Sequence, residues 1–168
     1  FKQVGDAIYL IGQHKNDIGS SEYLHKLVGV ELSPAPYFNA DEEYLVQQTV
    51  LKLIQAQLIQ SAHDIAEGGL FTNLIESAKQ RDLGVKLSPA IDASIRSDAY
   101  LFGEAQGRIV VSVKQENIAA FEAAMGSCPF EKLGEVIEND VMFNNENWGS
   151  ISSWKTAYDE ALEKLING

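Results

Sequence analysis

The 168-residue sequence predicts an α+β fold of layered α/β type, a mixed β-sheet flanked by helices. Three observations predict it. A β-branched run, Arg108-Ile109-Val110-Val111-Ser112-Val113, reads as a strand buried on both faces. Segments with helical spacing of apolar residues, such as Leu70, Leu74 and Ala78, lie between such runs. Strand-like and helix-like segments also intermix along the chain rather than separating into halves.

In chain order, Asp6 to Gly12 reads as a buried strand ended by glycine, and Gln13 to Ser21 as a polar loop. A short helix is expected through Glu22 to Leu27. Ser33-Pro34-Ala35-Pro36 must be extended, because each proline restricts the residue before it. A long helix is expected from about Asp41 to Ser61, with Asp41, Glu42 and Glu43 at its positive end and Val50, Leu51, Ile54 and Leu58 on one face. Gly68-Gly69 then interrupts the pattern, so that two helices would meet at an acidic corner, His63 to Leu70. Val85 to Leu87 is a short strand after Gly84, and Ser88 to Asp98 is mostly irregular. Ile118, Phe121 and Met125 mark a further helix. Glu131–Ile137 and Val141–Phe143 are expected to form a hairpin around Asn139-Asp140. Trp154, Tyr158, Ala161 and Leu165 mark a final helix. No repeat or low-complexity segment is present.

The length suits a single domain, residues 1–168, large enough to bury a core. Thirteen basic and 24 acidic residues give a net charge of −11, which repels phosphate backbones and anionic lipid heads. Nucleic-acid and membrane partners are therefore not expected. A small phosphorylated ligand is compatible, because backbone N–H groups bind phosphate locally. Cys128 is the only cysteine, which excludes an internal disulfide and a cysteine metal cluster and suits a reducing cytoplasm. No apolar run approaches the roughly 18 residues of a membrane span, and no signal peptide is evident. The chain begins at Phe1, as expected of a piece of a longer multidomain protein.

Two constellations could carry chemistry. In His63-Asp64-Ile65-Ala66-Glu67-Gly68-Gly69-Leu70, the glycines let a ligand approach the backbone, and the next helix offers its free N–H groups to an anion. Asp64 and Glu67 are also candidate oxygen ligands for Mg²⁺. The alternative is an N-cap and turn that packs two helices, with His63 a hydrogen-bonded structural residue. In Leu101 to Arg108, an extended chain would put Glu104, Gln106 and Arg108 on one face, where Arg can clamp phosphate or carboxylate. The alternative is a polar approach to the strand, with Arg108 paired to a carboxylate. His14, His25 and His63 lack metal-ligand spacing. Cys128 and Ser20-Ser21 lie in no nucleophile pattern, and no Walker loop or GxGxxG occurs. No catalytic residue and no metal ligand set is assigned.

At these motifs the chain resembles the C-terminal domain of the aminoimidazole ribonucleotide synthetase superfamily, over about Gly5 to Ile137. His63 to Leu70 resembles that family's acidic Gly-Gly-Leu corner, and Phe102 to Arg108 its Glu-x-Gln-x-Arg segment. Gly5 to Tyr23, ending Asp17-Ile18-Gly19-Ser20-Ser21-Glu22-Tyr23, resembles the opening of its formylglycinamidine ribonucleotide synthase branch.

The resemblance implies a mixed sheet with partial ferredoxin-like similarity. It implies one domain of an enzyme of purine biosynthesis that uses ATP, Mg²⁺ and glutamine-derived ammonia to amidate formylglycinamide ribonucleotide. ATP, Mg²⁺ and the catalytic residues would belong mainly to N-terminal-type domains, so this domain alone would hold no complete cofactor site and would be inactive. Substrate-binding candidates carried over are Ser21, Asp64, Glu67, Gly68, Gly69, Glu104, Gln106 and Arg108. Implied partners are sibling domains of the same chain, a glutaminase, a small accessory subunit and a small phosphorylated substrate. Two departures weaken a working site here: Ala105 stands where serine is usual, and Gly19-Ser20-Ser21 where Gly-Gly-Ser is usual. They leave open a scaffold that touches no substrate. The same domain in a thiamine-monophosphate kinase or a selenophosphate synthetase is a further alternative.

Overall fold

The computed structural model describes residues 1–167. Seven strands form one mixed sheet: β1 (Ala7–Ile11), β2 (Ser61–Asp64), β3 (Leu83–Leu87), β4 (Ile109–Val113), β5 (Phe130–Glu138), β6 (Asp140–Phe143) and β7 (Glu146–Ser150). Their spatial order is β2-β4-β1-β5-β3-β6-β7. Among the described residues, six α-helices accompany them: α1 (Ala40–Gln55), α2 (Gly69–Lys79), α3 (Ser97–Phe102), α4 (Ile118–Ala124), α5 (Ile151–Asp159) and α6 (Ala161–Asn167). The expected short helix is a π-helical turn, Tyr23–Val28.

Alternation along β1 splits the core in two. Ile8 and Leu10 point to the face covered by Leu70, Leu74, Ile75 and Ala78 of α2, Tyr100 and Leu101 of α3, and Ile151 of α5. Ala7, Tyr9 and Ile11 point to the other face, against Val46, Val50 and Leu53 of α1 and Phe121 of α4. Both faces being covered explains why all five residues of β1 are buried. The β-branched β4 lies beside β1, paired antiparallel from Ala7↔Val113 to Ile11↔Ile109, as its composition predicts.

Three sequence expectations are corrected. The long helix stops at Gln55, not Ser61. Gln57 adopts φ +56°, Gln57 N–H donates to Ile54 O (3.0 Å), and Leu58 N–H donates to Leu53 O (3.0 Å). This is a Schellman cap, and Leu58 packs into the same cluster as Leu53. Ser61–Asp64 is consequently a strand, β2, paired with Ser112 to Ile109 of β4. His63 to Leu70 therefore joins a strand to a helix, not two helices.

The hairpin around Asn139-Asp140 does not form. β5 and β6 are separated by β3, which pairs antiparallel with β5 and parallel with β6. Asn139, at φ +54°, is a one-residue connection, and Gly84 of β3 lies so close to Asp140 that a Cβ there would clash with its backbone. The hairpin of this region is β6–β7, turning on Asn144 (φ +48°) and Asn145 (φ +67°), both left-handed as a type I′ turn requires. Last, the final helix is two, because α5 ends at Asp159 and α6 begins at Ala161.

Candidate functional site

The three motif segments meet at one carboxylate. Oε1 of Glu104 accepts from Gly68 N–H (2.9 Å) and from Glu22 N–H (2.8 Å). One oxygen thus joins the start of α2, the π-helical turn and the segment before β4. Aromatic packing reinforces the junction. Tyr23 stacks on Phe102 (centroids 5.0 Å apart, 2° between planes), and Phe102 meets Phe71 of α2 edge-on at 6.1 Å.

The glycines permit this approach. Gly68 caps α2 at φ +80°, and Gly69 follows at φ +69°. A Cβ on Gly69 would lie 2.7 Å from the backbone of Leu101 and Phe102. Gly68-Gly69 therefore lets α2 start directly against α3. The N–H groups that the sequence offers to phosphate are engaged inside the protein, Gly68 with Glu104 and Gly69 with Ala66 O (3.0 Å).

The first motif is held by Asp17. Its Oδ1 accepts from Gly19 N–H (3.1 Å) and its Oδ2 from Tyr37 N–H (2.7 Å), tying the loop to the proline-rich stretch. Ser20 adopts φ +54°, a conformation that favours glycine, at the position where the resembling family has one. Its N–H donates to Ser33 Oγ (2.7 Å) and its hydroxyl to Pro34 O (3.1 Å), which holds the strained residue in place. Ser21 is buried. Its hydroxyl donates to Ile18 O (2.7 Å) and accepts from Leu24 N–H (3.3 Å), capping the turn.

Glu104, Gln106 and Arg108 do not share a face. Gly107, at φ +70°, breaks the extended alternation before β4 begins at Ile109. Glu104 is half-buried and Gln106 exposed, while Arg108 is only 2% exposed. Arg108 folds back on its own loop, donating from Nε to Ala105 O (3.0 Å) and from Nη2 to Gly103 O (2.6 Å). Its third contact is to His14 Nδ1 (3.4 Å), and guanidinium can only donate. Nδ1 is therefore the acceptor, and the proton of the neutral ring sits on Nε2.

Burial, and then the Arg108 charge, push His14 down to about 3. The 3.7 Å approach of His14 Nε2 to Glu131 is thus no ion pair at neutral pH. His14 stacks on Tyr100 at 3.9 Å, and the Tyr100 hydroxyl donates to Glu131 (3.3 Å). Burial raises both Glu131 and Tyr100 and brings Arg108 down to about 10, which leaves it charged.

Of the remaining candidates, Asp64 and Glu67 are exposed. His63 is bonded as a structural residue, with Nδ1 3.1 Å from Ser77 Oγ and Nε2 3.5 Å from Glu76. Asn73 was not flagged by its sequence context. Its side-chain amide donates to Asp64 O (2.7 Å) and His63 O (3.3 Å), fixing the outer edge of β2 to α2. His14, Tyr100 and Glu131 were missed likewise, since their partners are distant in sequence. Among the described residues, no group of three or more His, Cys, Asp or Glu is arranged to hold a metal ion. No helix among them is long and apolar enough to cross a membrane.

A family model described as AIR synthase related protein, C-terminal domain, matches residues 3–143. The phosphoribosylformylglycinamidine synthase subunit PurL of Alkaliphilus metalliredigens is 38% identical over 175 residues, covering 98% of this chain and 23% of that protein. The chain thus spans about a quarter of this curated relative. Among solved structures, Thermotoga maritima PurL complexed with FGAR superposes with a TM-score of 0.75 at 18% identity, over 91% of this chain and 28% of that one. The protein tt0281 of Thermus thermophilus gives 0.58 at 22% identity, over 86% and 51%. At these identities the structural likeness is one of fold.

Proposed function

The chain belongs to the AIR synthase related protein, C-terminal domain family, and on that premise we propose that it serves as a C-terminal-type domain of a phosphoribosylformylglycinamidine synthase. The longer protein would convert formylglycinamide ribonucleotide, ATP and glutamine-derived ammonia into formylglycinamidine ribonucleotide in the cytoplasm. Similarity to the Alkaliphilus PurL subunit along 98% of the chain supports this branch.

The observation that carries the domain's own role is the engagement of its motif groups with one another. Gly68 and Glu22 N–H are bound to Glu104, Ser21 caps a turn, and Arg108 braces the loop carbonyls. These groups support the geometry of the junction, and no complete substrate site is built from them. Glu104 Oε2, Asp64, Glu67 and Gln106 are left to face a substrate or a sibling domain. On this reading the described residues leave ATP and Mg²⁺ to the rest of the longer protein. They present no phosphate loop and no metal ligand cluster. The proposal gives phosphoryl activation of the amide oxygen to the other domains of the longer protein. A scaffold that packs on sibling domains, a glutaminase or an accessory subunit is the second reading, favoured by Ala105, which is buried and offers no hydroxyl.

The test is ammonia-dependent ADP release with formylglycinamide ribonucleotide. Full-length protein should be active and the 168-residue chain inactive. A full-length protein that releases no ADP would refute the synthase reading, and activity in the chain alone would refute the incomplete site. Calorimetric binding of the substrate to the chain, lost in Glu104→Ala, would contradict the scaffold reading.

A further inference from the structure

Helix α1 is apolar on two opposite sides. Its inward stripe, Val46, Val50 and Leu53, packs on the sheet. Tyr44 and Leu51, two turns apart on the side away from that stripe, are both exposed, and exposed Ile54 flanks Leu51. Lys52 is the only charge between Tyr44 and Gln55. A solvated helix face is normally charged, and this one lies on a protein of net charge −11. The apolar surface continues past the helix start. The Tyr37 hydroxyl donates to Glu42 (3.3 Å), which holds its exposed ring against the first turn, and Phe38 and Leu45 share a cleft with it. Six half-exposed side chains of roughly 100 Å² each present about 600 Å², the upper end for the largest patch of a lone monomer.

Area and charge choose the occupant. A stable pair of free proteins buries about 800 Å² a side, more than this face offers, and two copies of charge −11 would repel each other. Domains of one chain need only about 600–1,500 Å² in total, because the linker supplies effective concentration. The chain spans 23% of the Alkaliphilus relative and 51% of the Thermus structure, so about its own length or more of further chain accompanies this fold in both. We propose that the outer face of α1, extended by Tyr37 and Phe38, is where a sibling domain of the same polypeptide docks. The sibling's surface is apolar and uncharged at its centre, with polar groups for the exposed amides of Gln47 and Gln55. The inference rests on the reading of the chain as one domain of a longer protein, and adds to it the face that is covered.

The test is hydroxyl-radical footprinting of the full-length protein, read residue by residue by mass spectrometry over a dilution series. Tyr44, 64% exposed on the domain itself, should react at least roughly tenfold more slowly than free tyrosine at every concentration, because a packed interface excludes water. Leu51→Glu puts an unpaired charge into the interface and should restore the reactivity of Tyr37 and Tyr44 several-fold. Tyr9, fully buried in the core, should stay unreactive in that variant and so report that the domain is folded. The wild-type footprint decides even where the variant unfolds. Tyr44 reacting like free tyrosine, protection that fades on dilution as for a second copy, or protection unmoved by a folded Leu51→Glu would each overturn the proposal. Absent ADP release with Tyr44 protected would count against the synthase reading alone.

Discussion

Acidification should destabilise this protein through His14. The folded ring is held to about 3 by burial and by Arg108, against an ordinary value of 6.5. Between those limits the unfolded chain binds a proton that the folded chain refuses. The stabilising contribution of the neutral ring is therefore full above pH 6.5 and falls as pH drops towards 3. Each unit of pH in that window costs about 1.4 kcal/mol, so lowering the pH from about 7.5 to about 5.0 should remove about 2 kcal/mol. Glu131 and Asp6, both raised by burial, act in the opposite sense, because the folded state takes up their protons more readily. To isolate His14, urea unfolding of the wild type and His14→Phe should be compared at both pH values. The variant keeps an aromatic ring against Tyr100 and cannot titrate. The wild type should lose about 2 kcal/mol more than the variant. In parallel, the ¹⁵N shifts of His14 should report the neutral Nε2–H tautomer throughout. Parallel pH dependences, or a folded ring that titrates near its ordinary value, would refute the reasoning.

Gly69→Ala places a Cβ against the Leu101–Phe102 backbone at positive φ, and should lower unfolding stability by about 3 kcal/mol in urea titration. Glu104→Ala leaves the Gly68 and Glu22 donors unpaired. Because the junction is half-exposed and water can reach it, the loss should be about 1–2 kcal/mol, with Glu104→Gln recovering part of it, and amide exchange at both N–H groups should accelerate. Leu74→Ala empties a side chain that is 1% exposed between α2 and the sheet, and should cost about 3 kcal/mol, read as a lower thermal midpoint.

What the sequence revealed and what it concealed follow from how local each determinant is. The strand β4 and the inward stripe of α2 are set by neighbouring residues, and both appear where the pattern predicts. β2 is polar and four residues long, and becomes a strand only because β4 offers it a partner about 50 residues later. Asn139-Asp140 has the composition of a hairpin turn, yet β3, an earlier segment, occupies the gap between β5 and β6. Alternation at Glu104, Gln106 and Arg108 holds for an extended chain, but Gly107 turns the backbone there. The motif segments were legible one at a time. Their meeting on Glu104 Oε1 was not, since Glu22 and Glu104 lie 82 residues apart. Ser20 is the instructive case, because a departure from the family pattern keeps the glycine-like backbone and adds a hydroxyl bond to Pro34 O that glycine has no atom to make.

The place of β1 in mid-sheet bears on how the chain is born. Ala7 pairs with Val113 on one side and Glu135 on the other. A ribosome adding about 5–20 residues per second needs roughly 6–25 s to travel from the first strand to the last of its two neighbours. Until β4 is made, Ala-Ile-Tyr-Leu-Ile is an uncharged strand-former with neither flank covered, and one flank stays open until β5 follows. The fully buried strand of the finished protein is thus the one that waits longest for its sheet partners during synthesis.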